Sequence, residues 1–185
     1  MYARARVRGG VKYENFRIGD LFESQYGDFD IQQTHINAKG LLVVSSGETN
    51  LGIIGQSDVR AKVFSAGTIT VDMFGYAHYR GHDYKMVTHA RVFSLSLITK
   101  KNLTREIGLY FAAQFGFFKK IFSYNDMASW KKIKDIKITL PVTENGNPDY
   151  EYMSRFIRIR QKLAIKNVVE WKERELKTYR DVVGK

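Results

Sequence analysis

The sequence predicts an α+β protein: a mixed, strand-rich globular domain followed by a long C-terminal helix. Three observations predict it. Short β-rich runs broken by glycine fill the first hundred residues, and aromatic side chains recur at three- and four-residue intervals from Asn102 to Phe122. After Pro148, no Pro or Gly interrupts the chain until Gly184. With 185 residues and 44% hydrophobic content, the chain can bury one good core plus a projecting element, but hardly two full domains.

The alternating Arg4, Arg6 and Arg8 suit an edge strand, a basic arm or the remnant of an upstream segment. Residues 11–23 place apolar groups at Tyr13, Phe16, Ile18, Leu21 and Phe22, the pattern of a strand followed by a turn or short helix. Leu41 to Ser45 reads as a buried strand between Gly40 and the polar loop Ser46 to Asn50. Ala61 to Phe64, Thr68 to Phe74 and Val87 to Leu97 supply further strand candidates, and Tyr76 to His82 reads as a polar and aromatic loop between two of them.

From Asn102 to Phe122, Leu103, Ile107, Tyr110, Phe111, Phe115, Phe118 and Phe122 would share one face of a single helix, or of two helices broken at Gly116. Such a face belongs in a core. A short strand ends at Leu140-Pro141, a Gly-containing turn follows, and Asp149 is placed to cap the long helix. The expected boundary therefore separates residues 1–148 from residues 149–185. About 33 residues of helix extend roughly 50 Å, more than a small core covers.

On that helix Tyr152, Phe156, Ile159 and Leu163 follow the spacing of a coiled-coil seam, and Leu176, Tyr179 and Val183 resume it after a slip near Asn167 to Trp171. The first half is expected to pack on its own domain and the second to seek another helix, the alternative being one amphipathic helix folded back on the globule. Phe156, Ile159, Leu163, Leu176, Tyr179 and Val183 are the candidate interface residues.

The formal net charge of +11 favours a polyanionic partner such as nucleic acid. Between Lys100 and Lys137, nine basic residues face three acids, a net +6. Such a run is either a solvated surface or a phosphate-neutralising face. No cysteine is present, which excludes disulfides and thiolate zinc sites. No apolar run approaches the roughly 18 residues of a membrane span, and Met1 to Gly10 lacks the apolar stretch of a secretion signal. A soluble, cytoplasmic protein without membrane contact is expected.

No catalytic spacing in the sequence is complete. Gly47 and Gly52 are spaced as in a phosphate-binding loop, but Ile53 and Ile54 stand where that loop needs Lys and Ser or Thr. Asp149 and Glu175-Leu176-Lys177 resemble a nuclease signature, yet on one helix the two carboxylates would lie about 40 Å apart. His78 and His82 have ligand-like spacing without an evident third ligand. No catalytic residue, cofactor or metal is therefore expected.

The order of motifs resembles the target-recognition domains of DNA specificity subunits in Type I restriction-modification systems and the related Type IIB and IIG enzymes. The matching pieces are FRIGDLFE (Phe16 to Glu23), SSGETNLGIIG (Ser45 to Gly55), GTITVDMFGYAHYR (Gly67 to Arg80) and ARVFSLS (Ala90 to Ser96). SYNDMASWKKIKDIKITLPV (Ser123 to Val142) and GNPDYEYMSRFI (Gly146 to Ile157) complete the order. One departure is that Asn125, Asp126 and Met127 follow Ser-Tyr where many relatives place a Gly and basic residues.

The resemblance implies a globular domain that reads base pairs through loops, mainly in the major groove, followed by a helix for assembly. It implies a non-catalytic subunit that targets an adenine methyltransferase and a restriction nuclease. The implied partners are double-stranded DNA and the methyltransferase subunit; a half-sized subunit could pair with a second copy through its helix, the equal alternatives being a fragment of a longer chain or the terminal part of a fused enzyme. Lys39, Arg60, Lys62, Lys85, Lys131, Lys132 and Lys134 would contact phosphates. Thr49, Asn50, His78, Tyr79, Arg80 and His82 are the candidates for base edges. The alternatives are an RNA-binding or scaffold protein assembled through its helix, and a nuclease whose site is unrecognised.

Overall fold

The structure is a computed structural model that describes residues 6–8, 10–99 and 101–183; Arg4 and Lys100 lie outside them. The strands are β1 (Arg6–Arg8), β2 (Val11–Arg17), β3 (Phe22–Tyr26), β4 (Leu41–Val44), β5 (Ile53–Ser57), β6 (Thr68–Val71), β7 (Ala77–Arg80), β8 (Tyr84–Met86), β9 (Phe93–Leu97) and β10 (Lys137–Pro141). The helices are α1 (Ile18–Leu21), α2 (Arg105–Gln114), α3 (Phe118–Ile121), α4 (Trp130–Ile133) and α5 (Tyr150–Val183). Among the described residues the strands form three sheets, ordered β1-β2-β10, β3-β9-β6-β7 and β5-β4-β8.

The four-stranded sheet divides the interior because its strands alternate apolar and polar residues. Ile69, Val71, Phe93 and Leu95 point into a core shared with Phe22, Phe111, Phe115, Phe118 and Met153. The opposite face is polar: the Tyr84 hydroxyl hydrogen-bonds to Thr68 Oγ1 at 2.9 Å and donates to Ser94 Oγ at 2.7 Å. Tyr84 also belongs to a second core with Val43, Val44, Phe64 and Met86, so its ring joins the β5-β4-β8 sheet to the larger one. The β6–β7 turn is tight against α3: Gly75 has φ +83° and an added Cβ would lie 2.7 Å from the Phe118 backbone.

The aromatic run from Asn102 to Phe122 takes the second of its two alternatives, splitting into α2 and α3 around a 3-10 turn, Phe115–Phe117, centred on Gly116. Thr104 caps α2 by accepting from the Ile107 amide. Residues 11–23 form the expected strand and short helix, and Leu41–Val44 the expected buried strand.

Other expectations need correction. Ala61 to Phe64 contributes one bridge, Phe64 to Tyr84, and residues 87–92 turn before β9 begins. The expected loop around His78 is strand β7, because the turn closes earlier, at Asp72–Gly75, and leaves Ala77–Arg80 to pair with Thr68–Val71. Arg6–Arg8 take the edge-strand alternative by pairing with β2.

Asp149 caps α5, its Oδ1 accepting from the Tyr152 amide at 2.8 Å. The helix has 34 residues, about 51 Å at 1.5 Å per residue. Its first turns dock on the globular part through Tyr150, Met153 and Ile157, and Phe156 packs edge-on to Tyr110. Beyond Gln161 the described side chains are exposed, including Leu163, Trp171, Leu176, Tyr179 and Val183. No helix among the described residues is long and apolar enough to cross a membrane.

Candidate nucleic-acid interface

Strand register brings distant loops together. Tyr26 pairs with Phe93, Phe93 with Val71, and Val71 with Ala77, so one end of the four-stranded sheet presents the segments after β3, before β9 and between β6 and β7. Buried Asp72 ties this end to the loop after β4, accepting from the Gly47 amide at 2.7 Å as well as from Phe74 and Tyr76, each at 2.9 Å. The Ala128 amide donates to the Met73 carbonyl at 2.8 Å, and Lys119 faces Glu48 at 3.6 Å. Loops from five parts of the chain thus form one connected ridge backed by a packed core, a rigid base for recognition loops.

The sequence-derived candidates divide into three groups. Thr49 and Asn50 are exposed on the ridge, where Asn50 and Leu51 have φ +50° and +55°, a left-handed pair in the 3-10 turn Thr49–Gly52. Lys131, Lys132 and Lys134 are exposed on and just after α4, beside the ridge. Lys39, Arg60, Lys62 and His82 gather at the opposite strand ends, before β4, after β5 and between β7 and β8. Lys39 and Arg60 are exposed there, whereas Lys62 places Nζ 5.1 Å from the Phe64 ring centroid.

The remaining candidates point inward. Arg80 is 6% exposed, donating from Nε to Thr70 Oγ1 at 2.8 Å and from Nη2 to the Leu51 carbonyl at 2.7 Å. Burial pushes this guanidinium down to about 10. Lys85, also 6% exposed, donates to the Ser57 and Val59 carbonyls. Tyr79 faces the α2 side: a Cβ added at Gly108 would lie 2.1 Å from its ring, and its hydroxyl donates to the Leu103 carbonyl. His78 pairs across the strands with Thr70 on the other face, and among the described residues its buried Nε2 has no hydrogen-bond partner. Burial, followed by the charge of Arg80, holds the His78 imidazole below its ordinary value.

The ridge also carries groups that the sequence reading did not single out as contacts. A cleft of about 530 Å³ is lined by Tyr26, Arg91, Phe93, Tyr124, Asn125 and Met127, together with the sequence-derived candidate Lys132. Arg91 is exposed at φ +50°, and Nη1 donates to Met127 Sδ at 3.1 Å. Asp126 pairs with Lys132, so this carboxylate is partly neutralised within its own loop. His89 hydrogen-bonds to Asp30 and holds that carboxyl down to about 2.

Among the described residues, no group of three His, Cys, Asp or Glu side chains could hold a metal ion. His78 lies on β7 and His82 in the following turn, and Asp149 and Glu175 lie about 39 Å apart along α5.

The family model described as the Type I restriction modification DNA specificity domain matches residues 10–171. The S.BcgI specificity subunit of a Type II restriction enzyme from Heyndrickxia coagulans is 26% identical over 150 residues, covering 80% of this chain and 43% of that protein. A Type I restriction-modification S subunit from M. genitalium aligns with a TM-score of 0.53 at 14% identity, over 85% of this chain and 42% of that one. A chain from a structure describing assembly and conformational transition of the type I R-M system reaches 0.62 at 17% identity, over 94% and 44%. An HsdS subunit from Thermoanaerobacter tengcongensis gives 0.55 at 15% identity, over 83% and 38%. These structural likenesses show the fold, and this chain spans less than half the length of each relative.

Proposed function

Since the chain belongs to the family of Type I restriction modification DNA specificity domains, we propose that it is a non-catalytic, sequence-specific reader of double-stranded DNA that directs an adenine methyltransferase and a restriction nuclease. The observation that carries this reading is the ridge: loops from five parts of the chain, three of them joined by hydrogen bonds through Asp72 and Met73, flank the lysines of α4. Backbone contacts supply affinity without sequence information, and base-edge contacts supply the discrimination.

In this reading Lys131 and Lys134 contact phosphates beside the ridge, Lys132 holds the loop before α4 through Asp126 and the Met127 carbonyl, and Thr49 and Asn50 approach base edges. Lys39, Arg60, Lys62 and His82 form a second basic group for the flanking backbone. Arg80, Lys85 and Tyr79 brace the loops from within, since their polar groups are committed to protein partners. Residues 1–148 act as the reading unit. Residues 149–185 form the assembly element, with Ile159, Leu163, Leu176, Tyr179 and Val183 available to a second copy or to the methyltransferase. Phe156, already against Tyr110 and Tyr152, anchors the helix at its base.

Selection from a randomised duplex pool at near-physiological salt, with the chain alone and with a co-expressed methyltransferase subunit, tests the proposal. Enrichment of a short motif, or of two inverted copies at fixed spacing, is the expected result. Salt-sensitive binding without enrichment in either condition would overturn it, and preference for structured RNA would replace it with the RNA-binding reading.

A further inference from the structure

Among the described residues, Arg91 is an arginine of the ridge whose strong donors are unspent. Arg17 is paired with Asp135, Arg158 faces Glu106, and Arg80 is buried on Thr70 and the Leu51 carbonyl. Arg91 differs from all three. Its side chain is exposed, and among the described residues its guanidinium has no carboxylate neighbour within ion-pair distance. Its hydrogen bond to Met127 uses a thioether sulfur, a weak acceptor. That contact leans the side chain on the cleft wall and leaves most of the fork available.

The backbone beneath it is strained. Arg91 adopts φ +50° at the end of a turn in which its amide donates to the Thr88 carbonyl at 3.0 Å. A residue other than Gly, Asn, Asp or His is uncommon in this region, and such outliers concentrate at functional positions. The turn holds the guanidinium beside Tyr124, which is 75% exposed, and Asn125, also exposed. An exposed aromatic ring and an amide next to an unpaired guanidinium provide stacking, hydrogen-bonding and positive charge in one place, with Lys132 on the same cleft wall.

We propose that the Arg91–Tyr124–Asn125 rim of this cleft is a specificity-determining contact for duplex DNA, with Arg91 reading a guanine. The inference rests on the DNA-reading function proposed above and assigns it a residue and a base. Guanine offers two acceptors, O6 and N7, in the major groove, matching two parallel donors of the guanidinium fork. Lys132, already engaged with Asp126 and the Met127 carbonyl, supports the loop. Tyr124 and Asn125 contact the flanking step. The left-handed turn is the structural cost of aiming the fork outward.

Two variants separate this role from a general phosphate contact. R91K keeps the charge and loses the fork, whereas R91G relieves the positive φ and removes the side chain. Both are compared with the wild-type chain in the same randomised-duplex selection, and R91G is also unfolded in urea. The expected result is a wild-type motif containing a guanine whose enrichment falls about tenfold or more in both variants, other positions unchanged, while the R91G urea midpoint equals or exceeds that of the wild type. The proposal is overturned if either variant retains the guanine, if the wild-type motif contains none, or if R91G melts earlier. Each of those outcomes leaves a wild-type motif, and so the DNA-reading function, standing. If the wild-type chain enriches nothing, both fall together.

Discussion

Replacing Arg80 with Met separates an internal brace from a base reader, because the sequence alone suggests the second role and the geometry the first. Met keeps most of the apolar stem and removes the guanidinium. Two hydrogen bonds from a charged donor, at 2.8 Å to Thr70 Oγ1 and 2.7 Å to the Leu51 carbonyl, contribute roughly 1.5–3 kcal/mol each, or about 3–6 kcal/mol together. Against this, burial lowers the guanidinium to about 10, well below its ordinary value, which at ~1.36 kcal/mol per tenfold change costs roughly 3 kcal/mol. The difference is about 0–3 kcal/mol. Leu51 is exposed and its carbonyl can rehydrate, whereas Thr70 is buried and its hydroxyl is left short of a partner, which moves the expected loss to about 1–3 kcal/mol. Urea denaturation should show the midpoint falling with an unchanged slope, and hydrogen exchange should show faster opening of residues 45–52. Duplex selection should return the wild-type motif. Wild-type stability together with relaxed preference at one base position would refute the argument and restore Arg80 as a reader.

Three further outcomes are expected. Gly108→Ala drives a methyl group into the Tyr79 ring and should cost about 1–3 kcal/mol, most of it recovered in a Tyr79→Leu background; equal costs in both backgrounds would show that the ring is not the obstacle. The folded chain holds His78 below about 6.5, so its unfolded state binds more protons between that value and the folded one. Stability should therefore fall as pH drops below about 6.5 and level off below the folded value, the facing charges being Arg80, Asp72 and Glu48. Urea titrations of wild type and His78→Gln should differ by this slope, and parallel curves would contradict it. Replacing Lys131 and Lys134 together by Ala should flatten the plot of log affinity against log salt by up to about 0.9 per lost phosphate contact without altering the selected motif; an unchanged slope would remove these two lysines from the interface.

Much of the scaffold was legible because local chemistry dictated it. Gly116 breaks the aromatic run where its low helix propensity permits a break, and Phe111, Phe115 and Phe118 fill the core that their spacing implies. Asp149 caps α5 by a bond within its own first turn. Strands β3 and β5 were harder to see, since FESQY and IIGQS carry too few alternating apolar residues to mark a face and gain their pairing from partners far along the chain.

The orientation of the charged residues was least legible. A lysine or arginine in a sequence is taken as exposed by default. Arg80 and Lys85 depart from that default because Thr70 Oγ1 and the carbonyls of Leu51, Ser57 and Val59 converge on them from 10 to 29 residues away. Their commitment to the interior has a consequence for specificity. Arg80 holds the Leu51 carbonyl and Asp72 holds the Gly47 amide, so the exposed Thr49 and Asn50 lie on a loop fastened at both ends. On such a loop, substitutions at Thr49 or Asn50 can change the contacted base without loosening the frame, whereas substitutions at Arg80 or Asp72 should blur every position the loop reads. The division between exposed readers and buried braces therefore allows one scaffold to present different recognition surfaces at little cost in stability.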